Sequence, residues 1–352
     1  MLNFASDNWT GIAPRIAEGL AAAADGFAPA YGGDPLTAAV TDLFREVFER
    51  DLAVFFVSTG SAANALGLAS LGRPGGVVFG HRQSHVMVDE CGGPEFFASG
   101  AKLVPLPGAG GRFSAEALAA GLKGFTPGNV HHGRPVAVSL TQATEAGRVY
   151  GLDDIRAIAA VGAGRGLGVH MDGARFANAV AALGATPAEM TWKAGVDILS
   201  FGGTKNGCWC ADAVVLFDPG AAEEFAYLHK RGAQLFSKAR FVAAQFASYL
   251  KDGYWLDLAG HANAMARRLA DGLAASKSAR LAWPADANEV FAIWTRATGA
   301  RLTEAGIALH EWSFHGEDAG VLGDDEMLVR LVASFATQTD EVDRLLALID
   351  GQ

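Results

Sequence analysis

The stretch Leu167-Gly168-Val169-His170-Met171-Asp172-Gly173-Ala174-Arg175 determines how the rest of the chain is interpreted. It is a short apolar run, typical of a buried strand, followed directly by a carboxylate and a guanidinium. A second stretch of the same form starts at Val196 and ends in Gly202-Gly203-Thr204-Lys205, 33 residues after Asp172. This spacing is about one strand-helix-strand crossover. Two neighbouring parallel strands are therefore predicted to bring Asp172 and Lys205 to the same edge of one sheet.

The order of apolar strand, glycine-rich turn and helix recurs on both sides of these two stretches. Continuous apolar strands that alternate with helices predict a parallel sheet covered on both faces, and hence an α/β fold. The predicted strands are 52–57, 76–79, 102–106, 136–140, 167–171, 196–201 and 213–217, and helices are predicted over 61–71 and 152–161.

The pattern changes after Asp218. A long helical stretch is predicted over 223–250 and another over 260–276, followed by short strands over 289–295 and 326–334 and a final helix over 339–349. These elements predict a smaller α+β domain packed on the large one. We expect an N-terminal arm over 1–15, a large domain over 16–250 and a small C-terminal domain over 251–352.

The composition excludes several classes of protein. Half of the 352 residues are apolar and 19% are charged, which excludes a disordered chain. A net charge of −10 argues against nucleic-acid binding, which needs a basic face. No apolar run approaches the ~20 residues that span a bilayer, and the start lacks a secretory signal. The odd number of cysteines, three, indicates reduced thiols in a cytoplasmic protein.

Candidates for a metal site are weak. The spacing of His81 and His85 could place two imidazoles on one helix face, but Gly80 precedes them and no third ligand is evident. Cys208 and Cys210 lack the second cysteine pair of a zinc site. We therefore expect no bound metal.

The segment Val57-Ser58-Thr59-Gly60-Ser61-Ala62-Ala63-Asn64 is a candidate anion site. A strand ends there and a helix begins, so free backbone N–H groups and a hydroxyl point to one place. The simpler alternative is that Ser61 only caps the helix. No lysine follows as in a P-loop, and the glycines over 162–168 miss the dinucleotide-binding spacing.

An anion site, a carboxylate and an amine at one sheet edge suit pyridoxal 5'-phosphate. The helix start would take the phosphate, Asp172 would pair with the pyridinium nitrogen, and Lys205 would form the Schiff base. Taken alone, Asp172 and Arg175 could equally be a helix cap and a surface residue.

The chain resembles the low-specificity L-threonine aldolases, including the phenylserine aldolase type, of the aromatic amino-acid beta-eliminating lyase/threonine aldolase family. The resemblance covers nearly the whole chain. It rests on Ser6-Asp7-Asn8, Ala30-Tyr31-Gly32-Gly33-Asp34-Pro35, Thr59-Gly60-Ser61-Ala62-Ala63-Asn64, Ser84-His85, Glu90-Cys91-Gly92-Gly93-Pro94, Thr141-Gln142-Ala143-Thr144-Glu145, His170 to Arg175 and Gly203-Thr204-Lys205-Asn206-Gly207.

The resemblance implies a fold and a set of site residues. It implies pyridoxal-phosphate fold type I, like that of aspartate aminotransferase, with the cofactor bound by the large domain. In catalysis it assigns roles to Lys205, His85, Asp172 and a second imidazole, for which we prefer His131 over His132. The implied cofactor-binding residues are Gly60, Ser61, His85, Asp172, Arg175, Lys205 and Arg240, and the implied substrate-binding residues are Ser6, Tyr31, Arg175 and Arg330.

The resemblance also implies a homo-oligomer in which active sites lie between two subunits, as a dimer or a homotetramer. Tyr31, Lys238 and Arg240 are expected to reach across to the neighbouring subunit. His310, Trp312 and His315 are candidates for the pocket around the β-substituent of the substrate.

The implied activity is that of a carbon-carbon lyase in amino-acid metabolism. We expect retro-aldol cleavage of L-β-hydroxy-α-amino acids, such as L-threonine, L-allo-threonine and L-phenylserine, to glycine and an aldehyde. The alternatives are β-elimination or transamination on the same scaffold, a cofactor-binding module without activity, and a nicotinamide oxidoreductase. The chain lacks the glycine spacing of a dinucleotide-binding motif, which argues against a nicotinamide oxidoreductase.

Overall fold

The computed structural model describes residues 2–313 and 322–351. Its strands are β1 Leu2–Asn3, β2 Ala53–Val57, β3 Gly76–His81, β4 Lys102–Leu106, β5 Arg134–Thr141, β6 Gly168–Gly173, β7 Ile198–Gly202, β8 Asp212–Leu216, β9 Ala279–Leu281, β10 Glu289–Thr295, β11 Ile307–Ala308, β12 His310–Glu311 and β13 Glu326–Val332.

Its α-helices are α1 Pro14–Ala22, α2 Pro35–Phe48, α3 Gly60–Leu71, α4 His85–Val88, α5 Gly93–Phe97, α6 Ala115–Leu122, α7 Leu152–Ala163, α8 Phe176–Leu183, α9 Pro187–Met190, α10 Ala222–Arg231, α11 Arg240–Leu250, α12 Tyr254–Ala275, α13 Arg296–Glu304 and α14 Thr339–Ile349. In the two described ranges no helix is long and apolar enough to cross a bilayer.

A seven-stranded sheet forms the centre of the large domain. Its strand order is β2-β8-β7-β6-β5-β3-β4, and β8 alone runs antiparallel to its neighbours. Strands β5, β6 and β7 are almost entirely buried, as expected for apolar strands covered by helices on both faces. The predicted neighbours β6 and β7 are parallel, with Asp172 opposite Ser200. The predicted α/β fold with a mostly parallel sheet is confirmed.

The small domain contains an antiparallel sheet of order β12-β13-β10-β9. The N-terminal arm joins this domain, because β1 pairs with β11 and Phe4 lies in the small-domain core. Helix α12 belongs to both domains. Trp255 and Leu258 near its start pack in the large core, whereas Leu269 and Leu273 near its end pack in the small core.

The predicted single helix over 223–250 is wrong, because the chain forms two helices there. Helix α10 ends before Gly232, where an added Cβ would lie 2.8 Å from the Leu66 side chain, and Ala233 has a φ of 58°. The interruption places Gln234 against the end of β2. Its Oε1 accepts hydrogen bonds from the Ser58 amide at 2.9 Å and from the Ser58 hydroxyl at 3.0 Å.

Candidate active site

One pocket lies at the carboxyl edge of the large sheet and collects residues from several strand ends. It is lined by Asn8, Ser58, Thr59, Gly60, Ser61, Asn64, His85, Asp172, Ala174, Thr204, Lys205 and Asp212. The structure therefore brings together five of the predicted residues, namely Gly60, Ser61, His85, Asp172 and Lys205. This is the position where parallel α/β sheets bind ligands.

The start of α3 forms one wall of this pocket. Thr59, rather than Ser61, caps the helix, because its hydroxyl accepts a hydrogen bond from the Ala62 amide at 3.1 Å. The hydroxyl of Ser61 is thus not used for capping. The first-turn amides of a helix lack intrahelical partners, and a Cβ added to Gly60 would meet nothing within 4 Å. This wall therefore offers donors and open space to an anion.

Asp172 lies at the end of β6 and is 2% exposed. Its Oδ1 accepts a hydrogen bond from the Ala174 amide at 3.1 Å, and its Oδ2 accepts one from the Asn64 side-chain amide at 3.0 Å. Burial and then the nearby charge of Glu145 raise the pKa of Asp172. A cationic ring nitrogen beside it would oppose both causes, so this carboxylate suits a pyridinium partner.

Lys205 lies in a short 3-10 turn, Thr204–Asn206, directly after β7. The turn is anchored on both sides. The Thr204 hydroxyl donates to Asp212 at 2.9 Å, and the Asn206 amide donates to the Tyr249 hydroxyl at 2.8 Å. Because these flanking contacts fix the backbone, the Lys205 side chain is directed into the pocket that it lines.

His85 begins the short helix α4, immediately after the Ser84 cap position. His81 is the last residue of β3, so the two histidines do not share a helix face. The Nδ1 atom of His85 lies 2.8 Å from Oε1 of Glu90, which is also 2.7 Å from the Asn64 amide nitrogen. The hydrogen bond to Glu90 is the largest cause that raises the pKa of His85.

A buried charge cluster lies where the arm and the two domains meet. Arg175 donates to Asp7 at 2.8 and 3.1 Å and lies 3.2 Å from Glu289. Arg330 lies 3.7 Å from the same glutamate, and its guanidinium is 4.4 Å from the centroid of the Trp312 ring. Neither Arg175 nor Arg330 lines the pocket of Lys205. Arg175 is buried and paired with carboxylates, whereas 14% of the Arg330 side chain is exposed.

The carboxylates of this cluster, and that of Glu145 nearby, have shifted pKa values. Burial would raise the pKa of Asp7, but Arg175 and Lys205 outweigh it and hold that pKa below its usual value. Lys205 and Arg175 likewise lower the pKa of the buried Glu145. Burial raises the pKa of Glu289 to about 7 in spite of Arg175 and Arg330.

Other predicted site residues lie outside the pocket of their own chain. His131 is exposed and precedes β5. Arg134 at the start of β5 pairs with Gly76 at the start of β3, so His131 is at the sheet edge opposite His85. Ser6 caps a 3-10 turn by accepting from the Asn8 amide at 3.1 Å.

Tyr31, which is exposed, and Arg240, which is half-buried, belong to two chain segments that contact each other. The Tyr31 amide donates to the Ser237 carbonyl at 3.0 Å, and the Arg240 guanidinium donates to the Gly26 carbonyl at 3.2 Å. The expectation that they serve a neighbouring subunit stays a prediction.

His310 and Trp312 line a neighbouring cavity that Glu145 also borders. His315, the third candidate for the β-substituent pocket, lies outside the described residues.

Sequence reasoning assigned no role to Asn64, Glu90, Asp7 or Glu145, although all four fall within the segments that carried the resemblance. His85 and Glu90 are five residues apart, a spacing that no helix or strand periodicity connects. Asp7 and Arg175 are 168 positions apart. The available signals were the place of all four residues in those segments and, for Asp7, Glu90 and Glu145, an acidic side chain next to glycine or apolar residues.

Comparisons with known proteins agree with this geometry. The model of the family described as "Beta-eliminating lyase" matches residues 3–298. Proteins named low specificity L-threonine aldolase from Pseudomonas aeruginosa and from a Pseudomonas species are 46% and 45% identical. The first comparison extends over 289 residues and the second over 288, and each covers 82% of this chain and 83% of the relative.

A solved structure of a Leishmania major threonine aldolase superposes with a TM-score of 0.91 at 26% identity, covering 99% of this chain and 98% of that chain. These similarities confirm the family resemblance and the fold type I architecture. The chain therefore belongs to the beta-eliminating lyase family and, within it, is related to the low specificity L-threonine aldolases.

Proposed function

We propose that this protein uses pyridoxal 5'-phosphate to cleave L-β-hydroxy-α-amino acids to glycine and an aldehyde. The observation that carries the proposal is the convergence of Lys205, Asp172, His85 and the start of α3 in one pocket. The names of the relatives and the threonine aldolase superposition support the same reaction.

The residues of the pocket fit this cofactor. Gly60 and Ser61, at the start of α3, would hold the phosphate with backbone amides and a hydroxyl. The buried Asp172, whose pKa is raised, would hold the protonated ring nitrogen. Lys205 would supply the amine that holds the cofactor, and the cofactor, when bound, would supply an electron sink for the electron pair left on Cα when the Cα–Cβ bond breaks.

The remaining residues bind and orient the substrate. His85 accepts the proton of the β-hydroxyl, since its imidazole lines the pocket and has a raised pKa. Arg330 binds the substrate carboxylate and thereby orients the scissile Cα–Cβ bond. His131 lies at the opposite sheet edge, so we assign the base role to His85.

A product assay tests this proposal. Purified, dialysed protein supplied with pyridoxal phosphate alone should release glycine and an aldehyde from L-threonine, L-allo-threonine or L-phenylserine. A chelator should leave the rate unchanged. Pyruvate and ammonia from serine or cysteine, without any aldehyde, would instead identify a β-eliminating lyase, and a keto acid would identify an aminotransferase.

We also propose that two subunits share each active site, and that the protein is a dimer or a homotetramer. Tyr31 is exposed and Arg240 is half-buried, their segments contact each other, and neither residue lines the pocket of its own chain. If Arg240 serves a neighbour, mixing inactive Lys205→Ala and Arg240→Ala proteins should restore activity through hybrid oligomers with one intact site. Subunit exchange without recovered activity would contradict shared sites, and light scattering would give the number of chains.

A cytoplasmic location is part of the same proposal. Cys91, Cys208 and Cys210 are all free, which is typical of a reducing compartment. Cell fractionation with an antibody to the chain would test the location.

A further inference from the structure

The carboxylate of Glu90 lies in the turn between α4 and α5 and is almost completely buried, with 1% of its side chain exposed. Its Oε1 contacts Nδ1 of His85 at 2.8 Å and Nδ2 of Asn64 at 2.7 Å. Its Oε2 is buried and has no hydrogen-bond partner among the described residues. A buried carboxylate is costly unless it is paired, and the imidazole is the group in the structure that pairs with it.

This contact determines which nitrogen of His85 carries a hydrogen. Burial raises the pKa of Glu90, and the hydrogen bonds with His85 and Asn64 oppose that rise. The ionised carboxylate only accepts hydrogen bonds, so Nδ1 is then the protonated nitrogen of the neutral imidazole. The lone pair is then on Nε2. A carboxylate that holds Nδ1–H is the device that orients the base histidine in other enzymes. The charged groups that act on His85 are Glu90, Glu145 and Asp172, and each of them raises its pKa.

Asn64 connects Glu90 to Asp172. Its side-chain nitrogen donates one hydrogen to Glu90 Oε1 at 2.7 Å and the other to Asp172 Oδ2 at 3.0 Å. The Asn64 Oδ1 is buried without a hydrogen-bond partner among the described residues. The two carboxylates therefore determine the orientation of this amide. The amide nitrogen lies between them and donates a hydrogen bond to each.

We propose that Glu90 is a positioning residue for His85, which it holds in the Nδ1–H tautomer so that Nε2 accepts the β-hydroxyl proton of the substrate. The proton step rests on the proposed function. In it the hydroxyl O–H bond breaks and an Nε2–H bond forms, and Glu90 stabilises the resulting imidazolium. The oxygen's electron pair forms the aldehyde carbonyl as the Cα–Cβ bond breaks, and Nε2 gives up its proton, directly or through water, to balance the Cα–H bond that forms in glycine. Asn64 donates to both Glu90 and Asp172, and so fixes the position of Glu90 relative to the residue proposed to bind the cofactor ring.

The first measurement does not depend on activity. In the cofactor-free protein with ¹⁵N-labelled histidine, a His85→Gln variant assigns the His85 resonances. The neutral imidazole should show a protonated Nδ1 and an unprotonated Nε2. A predominant Nε2–H tautomer would overturn the proposal.

The second measurement uses Glu90→Gln, which keeps an oxygen that can accept from both His85 and Asn64 but removes the charge. The pKa of His85 should fall by about one pH unit, because the carboxylate that raises it is gone. The acidic limb of the kcat/KM profile should move to lower pH by the same amount, and the plateau should fall about tenfold as the base weakens. Glu95→Gln, in α5, is the matched control, since Glu95 shares no hydrogen bond with His85 or Asn64 among the described residues.

The outcomes separate this inference from the proposed function. If Glu90→Gln leaves both the His85 pKa and the acidic limb where they are, Glu90 is not a positioning residue. Suppose that His85 is the Nδ1–H tautomer and that its pKa falls in Glu90→Gln, but that wild-type protein releases no aldehyde. The proposed function then fails, and the proton step fails with it. The positioning of His85 by Glu90 would then still be supported.

Discussion

The substitution Gly202→Ala tests whether the approach of two strand ends determines activity. Gly202 is the last residue of β7, next to the turn that carries Lys205. A Cβ at this position would lie 2.6 Å from the Ala174 carbonyl oxygen, 2.8 Å from its Cα and 2.9 Å from its carbonyl carbon. All three are backbone atoms, so no side-chain rotation can relieve the contact.

The size of the displacement follows from these distances. Ordinary Cβ contacts begin at 3.4 Å, so the ends of β6 and β7 must separate by about 0.8 Å. The Ala174 amide also donates to Asp172 at 3.1 Å, so moving Ala174 disturbs the carboxylate that is proposed to hold the ring. Because a misplacement of about 1 Å can cost a hundredfold in rate, we expect kcat/KM to fall by about tenfold to a hundredfold.

The assay is glycine release under steady-state conditions, with circular dichroism to monitor folding. Overpacking of this kind typically costs about 1–3 kcal/mol, so the variant should melt a few degrees lower but remain folded at 25 °C. Gly260→Ala in α12 is the control, since a Cβ there meets nothing within 4 Å and should leave activity unchanged. A folded Gly202→Ala protein with activity within about twofold of wild type would refute the reasoning.

Four further substitutions test the assigned roles. Lys205→Ala should abolish turnover and the visible absorbance of the cofactor-loaded protein while circular dichroism stays native; a retained band with normal turnover would mean that another lysine carries the cofactor. Asp172→Asn should lower kcat at least about tenfold, because a charge-assisted bond worth roughly 1.5–3 kcal/mol is lost, and an unchanged kcat would remove Asp172 from the mechanism. Arg330→Ala should raise KM, whereas Arg296→Ala, which removes an exposed arginine paired with Glu311, should not; equal KM values in both variants and wild type would place the carboxylate elsewhere. Burial raises the pKa of Glu289 from 4.5 to about 7 in spite of its two arginine partners, so the stability that its protonated form contributes is complete below pH 4.5 and is lost progressively as the pH rises from 4.5 to 7. Glu289→Gln should therefore reduce the drop in Tm between pH 4.5 and pH 7.5, and an equal drop in both proteins would show that Glu289 does not titrate in this range.

The order of apolar segments was sufficient to predict the large sheet. Strands that are covered by helices on both faces must be apolar along their whole length, so β5, β6 and β7 are visible as continuous runs. The right-handed crossover rule then places successive strands side by side with their carboxyl ends at one edge. The meeting of Asp172 and Lys205 follows from this local pattern, and the structure places both in one pocket.

Local sequence was not sufficient where a helix had to be interrupted. The segment over 223–250 has residues suited to one long helix, yet α10 and α11 are separate. The interruption at Gly232 depends on close packing against Leu66 and on the bonds between Gln234 and Ser58. Both partners lie more than 150 residues away in sequence, so tertiary contacts outweighed local helix propensity.

For the pocket, the sequence and the tertiary structure likewise determined different properties. The sequence by itself determined which residue types are available at the sheet edge, because the strand ends and their spacing are local properties. Only the tertiary structure decided which acidic side chain pairs with which basic side chain. Glu90 pairs with His85, and Asp7 pairs with Arg175, because folding buries these groups together and a buried charge must find a partner. Such pairs are selected by desolvation and distance, neither of which a sequence pattern contains.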